Sequence, residues 1–494
     1  MKIYKFLTYR KSVLYIAIFI AAILSLSVVF FSRFMYRDAA AVYAYMSRAL
    51  WNGNYAEAFH PNIPSLNVLL SWLLSWSGLS PEQALTAVSC IFYIFTIPFL
   101  YRLLICFTSE RLAAIGCLLF ATAPKIIRFF CTSIIDSGKI FFLVMGLYYG
   151  YLLIKEEFKS WRLGLLFGIS LGGLSLARSE GIGNAAVLCA CLGVYYIMTV
   201  MKTRRISQIQ SWIAILSAWG ILLLSRMLVI WLNCGSFIYD QRISRGIQGL
   251  MHRTTDQGVN ATETVARVSW GHLMNQMLRG SYELYFVLIV TGILLCCFPS
   301  NRFWFNKKSP EFIRWNPFYW VLIIVVLSNA LIFKLSDIAA YRYFLLNIPV
   351  LMIFIVIGLD WCWQWMSKWF SPVILYSAFG VMIFFQILNG MERFFSEEAK
   401  QEYTAGLELR EMLKNENPPP RIWFRDASAE WYYSGLPRAV AIETPPKPAN
   451  TFSEFDYALM YSDEKDMEIL CQRQDLQEIP LSDNHTLRLF KKVK

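Results

Sequence analysis

Charge is scarce in this chain. Asp, Glu, Lys and Arg together make up 16% of 494 residues, against 56% hydrophobic residues and a mean hydropathy of +0.44. That balance excludes an ordinary soluble domain and leaves a polytopic membrane protein. No CxxC, HExxH or other zinc spacing occurs, and there are only four histidines, so a zinc centre of the usual kind is not expected. The eleven cysteines are scattered, most of them inside apolar segments (Cys90, Cys106, Cys117, Cys189, Cys191, Cys296, Cys297), where a thiol behaves as a small hydrophobe. The net charge is +12, but the basic residues fall in short clusters between apolar runs and form no single stripe, so no nucleic-acid partner is expected. No clean small-residue cleavage site follows the first apolar run, where the chain reads SRFMYRD. That run is therefore expected to stay as an anchor and not to leave as a signal peptide.

What the chain has in abundance is apolar runs: Val13–Phe31, Ala84–Phe107, Leu112–Ala123, Ile140–Ile154, Leu163–Ala177, Ile182–Val200, Trp212–Leu232, Leu284–Phe298, Phe318–Phe333, Phe344–Trp361 and Val373–Leu388. A spanning helix needs roughly 20 residues, so these predict about eleven transmembrane helices, several of them short. The basic connections MKIYKFLTYRK, TSER, KEEFKSWR, MKTRR, NRFWFNKK and WMSKW fall between every second pair of runs. The positive-inside rule then puts the N-terminus in the cytoplasm and the C-terminus outside a plasma (inner) membrane. The spacings Gly164/Gly168/Gly172 and Gly146/Gly150 predict close helix contacts in lipid.

Residues 1–388 thus form an all-α membrane bundle, and residues 389–494 a small extracytoplasmic α/β domain. In that tail Ser396 to Asn415 is helical in pattern, PPP punctuates, and RIWFRD, YALMYS and TLRLFKKV alternate like short strands, together about a hundred residues.

The informative charges sit at the expected outer boundary. Asp38 leaves the first span in YRDAAAVYAYMSRALWNGNY, and Ala39, Tyr43, Met46 and Leu50 then line one apolar helical face, predicting a helix along the membrane surface with Asp38 as its N-cap. His60, Pro61 and Pro64 follow in FHPNIPSL. Asp136 precedes the run beginning at Lys139, with N-capping as its plain structural role. Arg178 and Glu180 in LARSEG interrupt nearly forty apolar residues, and charges at membrane depth need a partner or a ligand. Tyr341 and Arg342 open a late run in YRYFLLNIP; Lys125 and Arg128 are weaker candidates. Acids and arginines meeting at one interface suggest a site for a phosphate-bearing lipid.

With RDAAAVY, FHPNIPSL, SIIDSGK, ARSEG and YRYFLLNIP in this order, the membrane part resembles the GT-C glycosyltransferases, in particular bacterial relatives of protein O-mannosyltransferases and of the lipid A aminoarabinose transferase. The resemblance implies transfer of a sugar from a polyprenyl-phosphate donor to a hydroxyl of a glycan, lipid or protein acceptor at the outer face. Asp38 would then be the catalytic base, worth about 10²–10⁴-fold. Arg178 and Arg342 would hold the departing phosphate, and His60, Glu180 and Tyr341 would line the substrate site. Asp136 would orient the acceptor or hold one of the arginines. With no enzyme carboxylate as nucleophile, the anomeric configuration should invert. The first loop has no paired Asp-x-Asp, so metal-independent transfer with no cofactor is expected. Three other readings are open. An O-antigen-ligase-like transferase would rely on Arg242, Arg245 and His252 in the Asn233–Glu283 loop. A lipid or sugar transporter would show charges at mid-membrane and related halves, whereas Arg226 is the main mid-run charge and no repeat is visible. A receptor or scaffold would work through its tail.

Overall fold

Lipid offers no hydrogen-bond partners, so a single apolar segment satisfies its own backbone only as a helix. Accordingly, each of the eleven apolar runs carries a helix among its described residues. The structure is a computed structural model, and it describes residues 2–32, 34, 39–59, 66–203, 206–235, 275, 286–297, 318–335 and 341–416. In the tail it describes 420, 422–424, 432–434, 456–461, 476–479, 481 and 487–492. In chain order the helices are α1 (Lys2–Phe31), α2 (Tyr45–Trp51), α3 (Tyr55–Ala58), α4 (Leu66–Ser75), α5 (Pro81–Ile105), α6 (Glu110–Thr122), α7 (Pro124–Phe130), α8 (Asp136–Lys155), α9 (Trp161–Ala177), α10 (Gly181–Thr203), α11 (Ile206–Cys234), α12 (Phe286–Cys297), α13 (Phe318–Leu335), α14 (Asn347–Met366), α15 (Pro372–Met391) and α16 (Glu397–Leu413).

Among the described residues seven helices are long and apolar enough to cross a membrane, and α6 with α7, bent by 60°, makes an eighth. The three remaining runs form the shorter helices α9, α12 and α13. The chain is a multi-pass membrane protein. Serine sets many of the helix starts: Ser80, Ser109, Ser160, Ser371 and Ser396 each accept the amide three residues on, an N-cap worth about 1 kcal/mol. The small-residue stripe works as expected. A Cβ at Gly164 would strike the Ser211 carbonyl and one at Gly168 the Ile215 carbonyl, so α9 and α11 touch along their backbones.

Side-chain ties gather one end of the bundle. Ser32, at the exit of α1, donates to the Phe394 carbonyl at 3.0 Å. Arg128 on α7 donates to the carbonyl and side-chain oxygens of Asn389 at 2.8 and 2.6 Å. At the opposite end Arg111 donates to the Tyr376 hydroxyl at 2.8 Å.

The segment after Asp38 differs from the expected plain amphipathic helix. It opens as a π-helix, Ala39–Ala44, before α2. The wide π turn shifts the phase, so that Tyr45, Ser47 and Ala49 are buried alongside Met46 and Leu50. The segment is not simply laid on the lipid either: Ser47 shares a 2.7 Å hydrogen bond with Ser71 of α4, and Arg48 faces the tail.

In that tail β1 (Ile422–Phe424), β2 (Tyr457–Tyr461) and β4 (Leu487–Lys492) are the three expected strands, joined by β3 (Leu476–Ile479) in the order β1-β2-β4-β3. The β1–β2 pair is parallel, and the others are antiparallel. β3 escaped the sequence reading because it is a four-residue edge strand with its two middle side chains exposed, so it shows no alternation. Tyr432 docks the tail on the bundle: its hydroxyl donates to Glu82 at 2.8 Å, and Arg48 donates to its carbonyl at 2.9 Å. The guanidinium of Arg48 also lies 3.8 Å over the Tyr432 ring. Burial, and then the Glu82 carboxylate, push the phenol well above its ordinary pKa, so it remains a donor.

Losing this contact removes about 2 kcal/mol, a factor of about 30 in the open population. Tyr432→Ala is therefore expected to speed proteolytic release of the tail while the helices stay protected. Cleavage at the wild-type rate would show that the tail is held elsewhere.

Candidate functional site

α9 ends at Ala177, and Arg178 is extended (φ −152°, ψ 152°). The chain reverses at once into α10, with the Gly181 amide donating to the Arg178 carbonyl at 2.9 Å. Only glycine fits at the turn, because a Cβ at Gly181 would collide with the Leu174 carbonyl. This reversal drives Arg178 inward. Its Nη1 donates to Asp136 Oδ1, and its Nε donates to Glu180 Oε2 at 3.1 Å. All three side chains are largely buried. Asp136 is the first residue of α8, with Ile135 at the capping position. It therefore does not cap a helix beginning at Lys139, as the sequence suggested, but places its carboxylate at the positive end of the helix dipole.

Lys139 completes the group and was not singled out from the sequence. It follows Asp136 at i+3, on the same face of α8, is 3% exposed, and lies within the fields of Glu180, Arg178 and Asp136. An acid and a base three apart at the head of an apolar run was the available signal, but a lysine there reads as an ordinary interfacial charge. Burial pushes the Glu180 carboxyl up, yet Arg178 and then Lys139 outweigh it and bring it down to about 2. The result is two carboxylates interleaved with two cations. Among the described residues no three His, Cys, Asp or Glu side chains gather around one point.

The structure thus brings together Asp136, Arg178 and Glu180. Asp38 and His60 lie outside the described residues, as do Arg242, Arg245 and His252 of the long loop. Tyr341 and Arg342 are placed by backbone only, in a 3-10 helix, Tyr341–Leu346, that packs against α7, α8 and α14. Arg128 is committed to Asn389 and, at 3.7 Å, to Glu392, tying α7 to the end of α15. Lys125 lies on the same short helix.

The whole chain superposes on ArnT, the aminoarabinose transferase from Cupriavidus metallidurans, solved with undecaprenyl phosphate bound. The TM-score is 0.59, with 97% of this chain and 98% of that one covered at 13% sequence identity. The fold is GT-C-like. ArnT in its apo state gives a TM-score of 0.56 at 12% identity, over 96% and 97% of the two chains. The archaeal oligosaccharyltransferase AglB from Archaeoglobus fulgidus, solved with an inhibitory peptide and a dolichol-phosphate, gives 0.52 at 14% identity, covering 94% of this chain and 70% of its own. No family model and no curated protein sequence matches the chain. The GT-C-like likeness is therefore one of architecture, and the chemistry rests on the residues.

Proposed function

We propose that the protein is an inverting glycosyltransferase that moves a sugar from a polyprenyl-phosphate carrier to an acceptor hydroxyl at the outer face of the membrane. The observation that carries this reading is the buried group of Asp136, Lys139, Arg178 and Glu180 at one end of a GT-C-like bundle. Ionisable residues at membrane depth are costly, pair with one another, and mark substrate sites. ArnT and AglB, which share the fold, were solved with undecaprenyl phosphate and dolichol-phosphate, and both carriers end in a phosphate.

When the anomeric carbon is attacked, the C–O bond to the carrier phosphate breaks and its electron pair stays on the phosphate oxygen. The phosphate already leaves well and needs no proton. Arg178 and Lys139 supply fixed positive charge where that anion develops, in a water-poor site where preorganised charge acts most strongly. The carboxylates of Asp136 and Glu180 hold Arg178 by its Nη1 and Nε. Asp38 is the proposed base for the incoming hydroxyl, and Arg342 a second phosphate ligand. Because the site brings its own cations, we propose that transfer needs no metal. The orientation follows the basic connections, with the N-terminus cytoplasmic and the tail outside.

The test is a reconstituted assay with a panel of hexosyl and pentosyl polyprenyl phosphates, scoring donor consumption with and without EDTA. One donor should be consumed equally in both arms, with inversion at the anomeric carbon and loss of turnover in Asp38→Asn. Inhibition by the chelator would overturn the metal-free mechanism, and retention of configuration would overturn the single displacement.

A further inference from the structure

α4 turns a polar stripe inward. Asn67, Ser71 and Ser75, spaced four apart, are all buried. The two serines are fully used: Ser71 shares its hydrogen bond with Ser47 and donates to the Val68 carbonyl at 2.8 Å, and Ser75 donates to the Ser71 carbonyl at 2.9 Å. Asn67, at the head of the stripe, is different. It is 1% exposed, and neither its amide nitrogen nor its amide oxygen has a hydrogen-bond partner among the described residues.

The side chain of Asn67 lies against the head of α8, the helix that carries Asp136 and Lys139. A Cβ on Gly138, in the first turn of α8, would stand 3.0 Å from Asn67 Oδ1, so the missing side chain at Gly138 makes room for this amide. Gly138 follows Asp136 by two residues. Beside it, Asp136 Oδ2 and Ser137 Oγ are likewise buried and unpaired among the described residues. So is Asn184 Oδ1 on α10, whose own amide nitrogen donates to the Glu180 carbonyl at 3.4 Å. Each orphaned polar atom costs about 1–3 kcal/mol, and hydrocarbon gives no relief. Several open bonds around the head of α8 are met where a ligand supplies them.

The chemistry of these atoms selects the ligand. They are neutral amides and a hydroxyl beside one carboxylate oxygen, so acceptors predominate. They suit groups that both donate and accept, and repel an anion. A phosphate belongs with Arg178 and Lys139; a polyol belongs here. We infer that Asn67, with Ser137 and Asn184, forms the subsite for the ring hydroxyls of the transferred sugar, a role that rests on the glycosyl-transfer reading above.

The experiment compares the parent sugar donor with its ring-deoxy analogues in the wild type, in Asn67→Leu and in Asn67→Ser, all as full-length reconstituted protein. The wild type is expected to prefer the parent donor, and one deoxy analogue should pinpoint the hydroxyl that Asn67 holds. In both variants kcat/KM for the parent donor should fall about 10²-fold, the equivalent of two lost hydrogen bonds. The preference over that one analogue should vanish, while inhibition by sugar-free polyprenyl phosphate stays at the wild-type level. Asn67→Leu should melt no lower than the wild type, because it removes an orphaned amide. A preference that survives in both variants would overturn the subsite and leave the transferase reading standing. A wild type inactive on every donor of the panel would overturn that reading itself.

Discussion

Arg178→Ala is expected to abolish transfer and to destabilise the bundle by about 3–5 kcal/mol, the usual consequence of stripping one member from a buried ion pair. Two carboxylates, Asp136 and Glu180, would face each other with only Lys139 to offset them. The guanidinium serves the two acids through different nitrogens, so Arg178→Lys should recover charge but not the fork, and with it only part of the stability. The double variant Arg178→Ala, Glu180→Gln should melt above the single one, because it removes an orphaned charge. The acid limb carries a further signature. In the wild type Glu180 is held below its ordinary 4.5, at about 2. Its contribution is therefore complete above pH 4.5 and is lost as the pH falls through the folded value. Without Arg178 burial dominates and the carboxyl moves up, so protonating Glu180 relieves a buried charge and the stability deficit of the variant should shrink as the pH falls. Thermal melts and acid titrations in detergent read both effects. An Arg178→Ala protein with wild-type stability would show that the charges are not coupled as described.

Gly181→Ala is the second large effect, and it comes from backbone geometry. The added Cβ would meet the Leu174 carbonyl, and α9 cannot back away, because Gly164 and Gly168 already press it against the α11 backbone. Overpacking typically costs about 1–3 kcal/mol where neighbours can move; here both neighbours are main chain. The expected result is a lower melting temperature and loss of turnover, since the reversal that aims Arg178 would have to open. Gly220→Ala is the control. A Cβ there meets nothing within 4 Å, and alanine in a helix interior gains up to about 1 kcal/mol over glycine. Equal melting temperatures for the two variants would refute the tight α9–α10 reversal.

The ease of reading this chain tracks how far each feature departs from an apolar background. Helix positions were legible because lipid forces long unbroken runs, and Arg178 and Glu180 were legible because they interrupt one. Asp136 was seen, but its pairing with Arg178 joins residues forty-two apart in sequence, a contact that no local pattern carries. Lys139 blended with the basic residues expected near span ends. Asn67 was invisible: LNVLLSWLLS was not among the eleven apolar runs, and only the structure shows it as the helix α4 with this amide beside Gly138. The π turn before α2 left no local mark either, since AAAVYA fits an ordinary helix equally well, and it shifted the buried face to include Tyr45 and Ala49.

The shortness of α9 has a consequence for the surrounding bilayer. Its 17 residues rise only about 25 Å, while the hydrocarbon slab is about 30 Å thick. With its basal end at one interface, Arg178 stops several ångströms beneath the opposite headgroups. The bilayer around that end of α9 must thin into a dimple to match the short helix, while the ionised residues themselves stay inside protein. Thicker membranes deepen the dimple at an energetic cost that grows with every added methylene.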